Sequence, residues 1–471
     1  MKHLVTLGVL TALTACASLP GKSPAPAIKP EAAYASTQSF AAEVCEWPAN
    51  DWWKVYGDAQ LDTLVAEALA GSPSIVAADA RLARARSYEA AAHGALLPQA
   101  SINGSFTEQK QSYNYLSPAA MTPQGWNDYG RSTLDISWEL DFWGKNRAAL
   151  AAATSDAVAA GADSDQARLA LSAAIASSYA ELARQYAARD TAIAARELRA
   201  KTAELFGQRF ANGLETKGSL RQAESRRSGA EADVLSLEEQ IALSKNKLAA
   251  LLGAGPDRGF AITPPKIDFS RVFALPATLA ADLIGRRPDL VAARLRAEAA
   301  ANRIHVSRAA FYPNVNLAGF IGVQALGIDM LKESGSDIGS AGPAISLPIF
   351  SGGRLRAQLR GAEAEYAEAV ANYDKALVQA LQEVADAATS QRTLGPQLEK
   401  VDAAVAAARE AWQVQSDRYA GGLANYLEVL SAEDYLLTNV RAQTDLRSRS
   451  IALDVQLVKA LGGGYRASGN L

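Results

Sequence analysis

The second half of this chain repeats its first, and that constrains the fold more than any other feature. At a spacing of 215, Pro73 meets Pro288, Val76 meets Val291, Arg81 meets Arg296, Pro98 meets Pro313 and Gly104 meets Gly319. At a spacing of 209, Arg209-Phe210-Ala211-x-Gly213-Leu214 meets Arg418-Tyr419-Ala420-x-Gly422-Leu423, and Ala223-Glu224 meets Ala432-Glu433. Self-similarity of this kind marks a duplicated supersecondary unit.

Each repeat carries two stretches of period-two alternation. In Ser132–Phe142, Leu134, Ile136, Trp138 and Leu140 alternate with Asp135, Ser137, Glu139 and Asp141. In Ala344–Phe350, Ile345, Leu347 and Ile349 alternate with Ala344, Ser346 and Pro348. Two further strands are expected at Gln99–Gln109, with Ile102 and Phe106 on one face, and at Asn314–Val323, with Val315, Leu317 and Ile321 on one face. Lys110–Gly130 reads as a loop. A strand with one apolar and one polar face fits a wall between lipid and water; the alternative is a half-buried strand of a soluble sheet.

Long helices follow the strands. No proline lies between Pro123 and Pro256, so Lys145–Ala211 reads as one helix of roughly 65 residues, on the order of 100 Å long. Leu171, Ile175, Tyr179, Leu182 and Tyr186 form a coiled-coil-like seam along it. Asn212-Gly213 stops it, and a return helix follows over about 216–252. The second repeat predicts a long helix over about 354–420 and a return helix over about 425–461, with Asn425 and Glu428 at capping-box spacing. Gly395-Pro396 predicts a kink or local break in the second long helix.

The organisation read from these patterns is a signal segment 1–15, an anchor and tether 16–46, repeat one 47–253, a linker 254–276, repeat two 277–464 and a tail 465–471. Net charge is -3, with no basic block, which argues against nucleic acid as a partner. Beyond the N-terminus no run of about 18 apolar residues appears, so a membrane role needs strands or a lipid anchor. Lys2 and His3 precede the apolar run Leu4–Leu13, which ends in Leu13-Thr14-Ala15-Cys16, the layout of a bacterial secretory signal. It resembles a lipoprotein box, which implies diacylglycerol and N-acyl lipid on Cys16; the alternative is an ordinary signal with an incidental cysteine. Cys45 is then left without an intrachain partner, and no disulfide framework is expected.

Four amphipathic strands are too few to close a barrel, and open edges are not tolerated in lipid. Spanning strands therefore require several chains; three copies give about twelve strands. The helices are expected to project from one end as a second tube, with the hairpin tips at Gly213 and Gly422 farthest from the membrane. A hollow conduit gated at its tips follows. The expected fold class is thus mainly α with a membrane β-barrel, built from a duplicated strand-strand-long-helix-hairpin repeat.

The chain resembles the TolC-like outer membrane efflux family, in its NodT-type lipoprotein subgroup. The match rests on Trp138-Glu-Leu-Asp-Phe-Trp-Gly-Lys145, Arg286-Arg287-Pro288-Asp289-Leu290 and Phe311-Tyr-Pro313-Asn-Val-Asn-Leu317. It continues through Leu347-Pro-Ile-Phe-Ser-Gly-Gly-Arg354, Asn425-Tyr-Leu-Glu-Val-Leu430 and Lys459-Ala-Leu-Gly-Gly-Gly464. The resemblance implies a homotrimer in outer membrane lipid, with a shared 12-stranded β-barrel and a periplasmic α-helical barrel. It also implies a passive exit duct that docks a periplasmic adaptor (a membrane fusion protein) and an inner-membrane pump of RND, ABC or MFS type. Ala424 stands where family members often carry an acidic residue at the constriction, so the gate contacts are sought among Asp417, Arg418, Tyr419, Gly422 and Glu428, with Arg209 and Gly213 at the first tip. Asp417 and Arg418 read as gate groups or as a solvated pair.

No enzyme motif is present: there is no phosphate loop, zinc-binding helix motif or nucleophile elbow. No cofactor or metal is expected; His93 and His305 read as surface or satisfied histidines. Arg286-Arg287-Pro288 reads as a helix start whose arginines pair with nearby carboxylates. The competing overall reading is a coiled-coil scaffold lipoprotein, which leaves the four alternating strands unexplained.

Overall fold

The computed structural model describes residues 26, 27, 29, 34, 44–114, 118–267, 275–276 and 285–467. The signal segment, Cys16, most of the tether and the start of repeat two lie outside the described residues. In chain order the elements are β1 (Val44–Cys45), α1 (Ala59–Gly71), α2 (Pro73–Gly94), β2 (Gln99–Gln109), β3 (Asn127–Glu139), α3 (Lys145–Ala211) and α4 (Lys217–Leu251). They continue as β4 (Leu275–Pro276), α5 (Pro288–Ala309), β5 (Asn314–Leu326), β6 (Asp337–Ser346), α6 (Arg354–Ala420) and α7 (Tyr426–Ala460). Short 3-10 turns lie between some of them, one at Pro256–Ala261 in the linker.

Two compact units emerge. Among the described residues, the first holds Leu82–Ala160 and Ala293–Tyr373, and the second holds the remainder from residue 29 onward.

The first unit is built on an antiparallel sheet in the order β2-β3-β5-β6. Asn127–Ser137 of β3 pairs residue for residue with Gln109–Gln99 of β2, and Tyr129–Glu139 pairs with Leu326–Asn316 of β5. This pairing corrects the expected strand 132–142 and the expected loop 110–130: β3 begins at Asn127, where Gln109 of β2 pairs with it, and β5 joins from Tyr129. It stops at Glu139 because Asp141 turns to cap α3, accepting the Asn146 and Arg147 N–H groups at 3.2 and 2.9 Å. Leu140 therefore lies just past the strand, although its N–H still donates to the Val315 carbonyl at 2.9 Å.

β5 runs three residues past its expected end, to Leu326. The larger correction is β6, which occupies Asp337–Ser346 rather than 344–350. Leu347 and Ile349 follow the strand instead of lying in it. Pro348 offers no N–H to a ladder, whereas Asp337–Gly342 pairs with β5. Pro343 is accepted within β6 because that strand is an edge of the sheet. Ile304, Phe311, Leu355 and Leu359 form a small core in the same unit.

The second unit is helical. Leu171, Ile175, Tyr179 and Leu182 of the α3 seam are buried in one core with Trp52, Leu61, Leu64, Leu248, Ile451 and Val455, while Tyr186 is half-buried. Asp58 caps α1 through the Gln60 N–H at 2.9 Å and accepts the Tyr179 hydroxyl and the Lys266 N–H, both at 2.7 Å. β1 and β4 form a two-residue parallel ladder, so Val44 and Cys45 of the expected tether pair with Leu275 and Pro276 of the expected linker.

α3 and α6 are each 67 residues long. α6 runs unbroken through Pro396, so the expected local break does not occur. Proline removes one N–H from a ladder that long helical arms on both sides hold in place. The return helices α4 and α7 lie one residue inside their expected bounds, because Thr216 and Asn425 are N-caps and Leu252 and Leu461 are C-caps. The duplication persists in the hydrogen bonds that end them. Ala254 N–H reaches Ala249 C=O at 3.0 Å after α4, and Gly463 N–H reaches Val458 C=O at 2.9 Å after α7.

Candidate functional site

In the first unit the sheet register collects apolar side chains on one face. Ile102 lies opposite Leu134, Leu134 opposite Ile321, Trp138 opposite Leu317, and Val315 opposite Ile345. This layer is exposed: Ile102 at 79%, Ile321 at 66% and Ile345 at 69%, with Phe106, Leu134, Ile136, Trp138 and Leu317 also exposed. Val315 and Leu140 are half-buried. Beyond β6, Leu347 is half-buried and Ile349 is exposed.

The opposite face carries Ser101, Asn103, Ser105, Arg131, Thr133, Asp135, Asn316 and Gln324. Asn103 and Thr133 donate to Asp135 at 2.9 and 2.7 Å. At the helix end of the sheet, the Trp138 indole donates to Leu96 C=O at 2.9 Å, and the Trp143 indole donates to Pro313 C=O at 2.8 Å while stacking on Tyr312. An exposed apolar face, a polar reverse and amphipathic aromatics at one end are the features of a barrel strand in lipid. Among the described residues, no single helix is both long and apolar enough to cross a membrane.

In the second unit the two hairpin tips are built alike. Leu214 N–H reaches Arg209 C=O at 2.8 Å and Gly213 N–H reaches Phe210 C=O at 3.0 Å; Leu423 to Arg418 and Gly422 to Tyr419 repeat these bonds at 2.8 and 3.0 Å. This is the Schellman stop. It demands a left-handed residue, and Gly213 and Gly422 supply φ of 71° and 74°. Thr216 and Asn425 then accept the N–H groups of Ser219 and Glu428 at 3.2 and 3.1 Å to start the return helices.

Tyr419 is the predicted tip residue with the most contacts. Its hydroxyl donates to Glu215 at 2.8 Å, its ring stacks on Phe206 at 5.7 Å, and the Arg209 guanidinium lies 4.6 Å from the ring centroid. Burial, reinforced by the bond to Glu215, raises the Tyr419 pKa well above the usual phenol value, so the group stays a neutral donor. Tyr426 completes the cluster, its ring 3.8 Å from that of Phe206. Asp417 and Arg418 do not pair: Asp417 accepts from Gln413 at 3.0 Å, and Arg418 donates to Gln415 at 3.5 Å and to Leu423 C=O at 3.3 Å. Glu428 is used through its backbone N–H.

Sequence reasoning missed a charged cluster in this unit. Glu433 is fully buried, 3.5 Å from Arg199, which also reaches Asp434 at 3.3 Å; Arg226 binds Asp434 at 2.8 Å. Thr202 donates to Glu433 at 3.4 Å. The only signal was the repeat match of Ala432-Glu433 to Ala223-Glu224, and Glu224 is partly exposed. Burial pushes the Glu433 carboxyl above the usual glutamate value, outweighing Arg199. As pH rises past the ordinary value, the unfolded chain loses this proton first. The cluster therefore loses stability between that value and the raised one, and the loss levels off above it. The protection of the α7 amides, relative to their intrinsic exchange rate at each pH, should fall across that window in the wild type, and Glu433→Gln should flatten that dependence.

Arg287 is buried and holds Asp289 through two bonds, at 2.6 and 3.0 Å, as well as Glu383 at 2.7 Å and Ala460 C=O at 3.1 Å. Arg286 lies 5.0 Å from the ring centroid of Trp47. His93 and His305 are exposed on α2 and α5.

An exposed apolar sheet with a polar reverse, carried by a chain with paired long helical hairpins, defines a channel-type outer membrane protein. The model of the outer membrane efflux protein family matches residues 64–254 and 279–463, and this chain belongs to that family. It is similar to the fusaric acid resistance protein FusA of Burkholderia cepacia, at 39% identity over 77% of this chain and 69% of the relative. It is also similar to the multidrug resistance outer membrane protein MdtP of Shigella flexneri, at 30% identity over 98% of this chain and 96% of the relative. Among solved structures, it matches the outer membrane protein VceC of Vibrio cholerae with a TM-score of 0.85 and 49% identity, over 89% of this chain and all of that one. The protein is an outer membrane efflux channel.

Proposed function

We propose that three copies of this chain close one barrel and form a passive exit duct for small molecules, working with a periplasmic adaptor and an inner-membrane pump of RND, ABC or MFS type. The observation that carries this reading is the sheet: β2 and β6 are edge strands whose outer sides pair with no strand among the described residues, on a sheet whose apolar face is exposed. Open edges in lipid must be satisfied, and further copies of the same chain satisfy them with twelve strands. The names of the relatives, resistance proteins of the outer membrane, support export of small toxic molecules. The duct itself performs no bond chemistry. Acyl lipid on Cys16 would tether the mature N-terminus.

The gate is proposed at the hairpin tips, with the Tyr419–Glu215 bond as the tie between the two hairpins of one chain. A hydrogen bond to a charged group contributes about 1.5 kcal/mol or more, which is roughly tenfold in an opening equilibrium. Tyr419→Phe removes the hydroxyl and keeps the stack on Phe206 and the contact with Arg209. In planar bilayers the wild type should conduct poorly, and Tyr419→Phe should raise the mean conductance about tenfold. Absence of any conductance from assembled protein would contradict the duct; unchanged conductance in the variant would contradict this tie.

A further inference from the structure

The polar face of the sheet holds one cation placed to receive an anion. Arg131 of β3 lies diagonally across the face, its guanidinium 5.0 Å from the ring centroid of Phe320 on β5. Gly322 lies between them on that face, opposite Thr133. A Cβ on Gly322 would collide with the Ser132 carbonyl and with Thr133 Cα, so β3 and β5 approach closely there and leave the floor flat beneath the arginine. Stacking occupies the face of a guanidinium and leaves its edge donors free.

No hydrogen bond or ion pair joins Arg131 to any described residue. Asp135, the carboxylate two positions along the same face, is engaged with Asn103 and Thr133. Facing Arg131 in register are Ser105 on β2 and Gln324 on β5, both neutral. Asp135 feels the charge of Arg131 without bonding to it, and the result is an oriented cation with unused edge donors and a planar apolar backing, which suits a carboxylate or sulfonate carried on an organic, preferably aromatic, body.

We infer that Arg131, backed by Phe320, is an anion-attracting station on the inner wall of the exit, at the end of the sheet away from the helices, and that it favours organic anions. This rests on the proposed duct, in which the polar face lines the lumen and each copy contributes one such arginine.

The test places a reporter thiol at Gln324, opposite Arg131, as Gln324→Cys in a Cys45→Ser parent that supplies the background rate. Assembled protein in outer membranes is treated from outside with methanethiosulfonate reagents of equal size, one bearing a sulfonate and one a quaternary ammonium. A unit charge within about 8 Å of the thiol in screened water changes the ratio of the two rates by about threefold. The sulfonate-to-ammonium ratio should fall at least that far in Arg131→Gln and hold in Arg131→Lys, which keeps the charge and controls for damage to the sheet. An equal ratio in wild-type and Arg131→Gln backgrounds would overturn the station while leaving the duct intact. A thiol at 324 that reacts with neither reagent would show that this face is not water-filled and would overturn both.

Discussion

Ile321→Arg is expected to abolish assembly in the outer membrane. Ile321 sits near the middle of β5, 66% exposed on the apolar face, with Leu134 opposite it on β3 and Gly339 on β6. An arginine at mid-depth on a lipid-facing strand costs about 2–4 kcal/mol, and in a shared barrel every copy incurs that cost. Ser340→Arg is the matched control. Ser340 lies on the polar face, opposite Phe320, so the same charge there meets water in the proposed duct. Immunoblots of outer membrane fractions should show the Ile321 variant degraded or absent and the Ser340 variant near wild-type level. Equal levels of the two would mean that the apolar face does not meet lipid.

Arg287→Ala should cost roughly 3 kcal/mol of stability in the helical unit, the low end of what breaking a buried ion pair costs. The low end applies because the side chains of Asp289 and Glu383 keep 31% and 35% exposure, so water can partly solvate the orphaned carboxylates. The Ala460 carbonyl at the end of α7 loses a donor as well. Arg287→Lys keeps the charge but cannot make the paired bonds to Asp289, so it should recover only part of the loss. Urea-dependent proteolysis of the extracted protein reads this directly: the cleavage midpoint should fall most for Ala, less for Lys, and least for Arg286→Lys, which keeps a cation beside the Trp47 ring and breaks no ion pair of Arg287.

The long helices were legible because their signals are local. A proline-free stretch with sustained apolar periodicity is enough to fix Lys145–Ala211, and one glycine with a following cap is enough to fix each tip. β2 was legible for the same reason. β6 was not, because Asp337–Gly342 is mostly small residues with Ile338 its one large apolar side chain and carries no alternation; its strand state comes from pairing with β5. The alternating Leu347 and Ile349 misled because Pro348 vetoes the ladder that alternation alone implies.

At the tips, sequence found Tyr419 and Arg209, which lies over its ring, but not the other partners. Phe206 and Glu215 lie some two hundred positions earlier, and no local pattern links them. Glu433 shows the limit of the repeat itself: it matches Glu224 in sequence, yet packing buries one and leaves the other partly in water. The solvated Asp417–Arg418 pair failed for a related reason, since adjacent residues on a helix point to different sides and each found a closer partner.

The shared barrel is the central claim, and the mass of the particle tests it most directly. Protein extracted from outer membranes in mild detergent, with bound detergent subtracted, should weigh three protomers. A monodisperse monomer would leave the edges of β2 and β6 unpaired in lipid and would contradict the account.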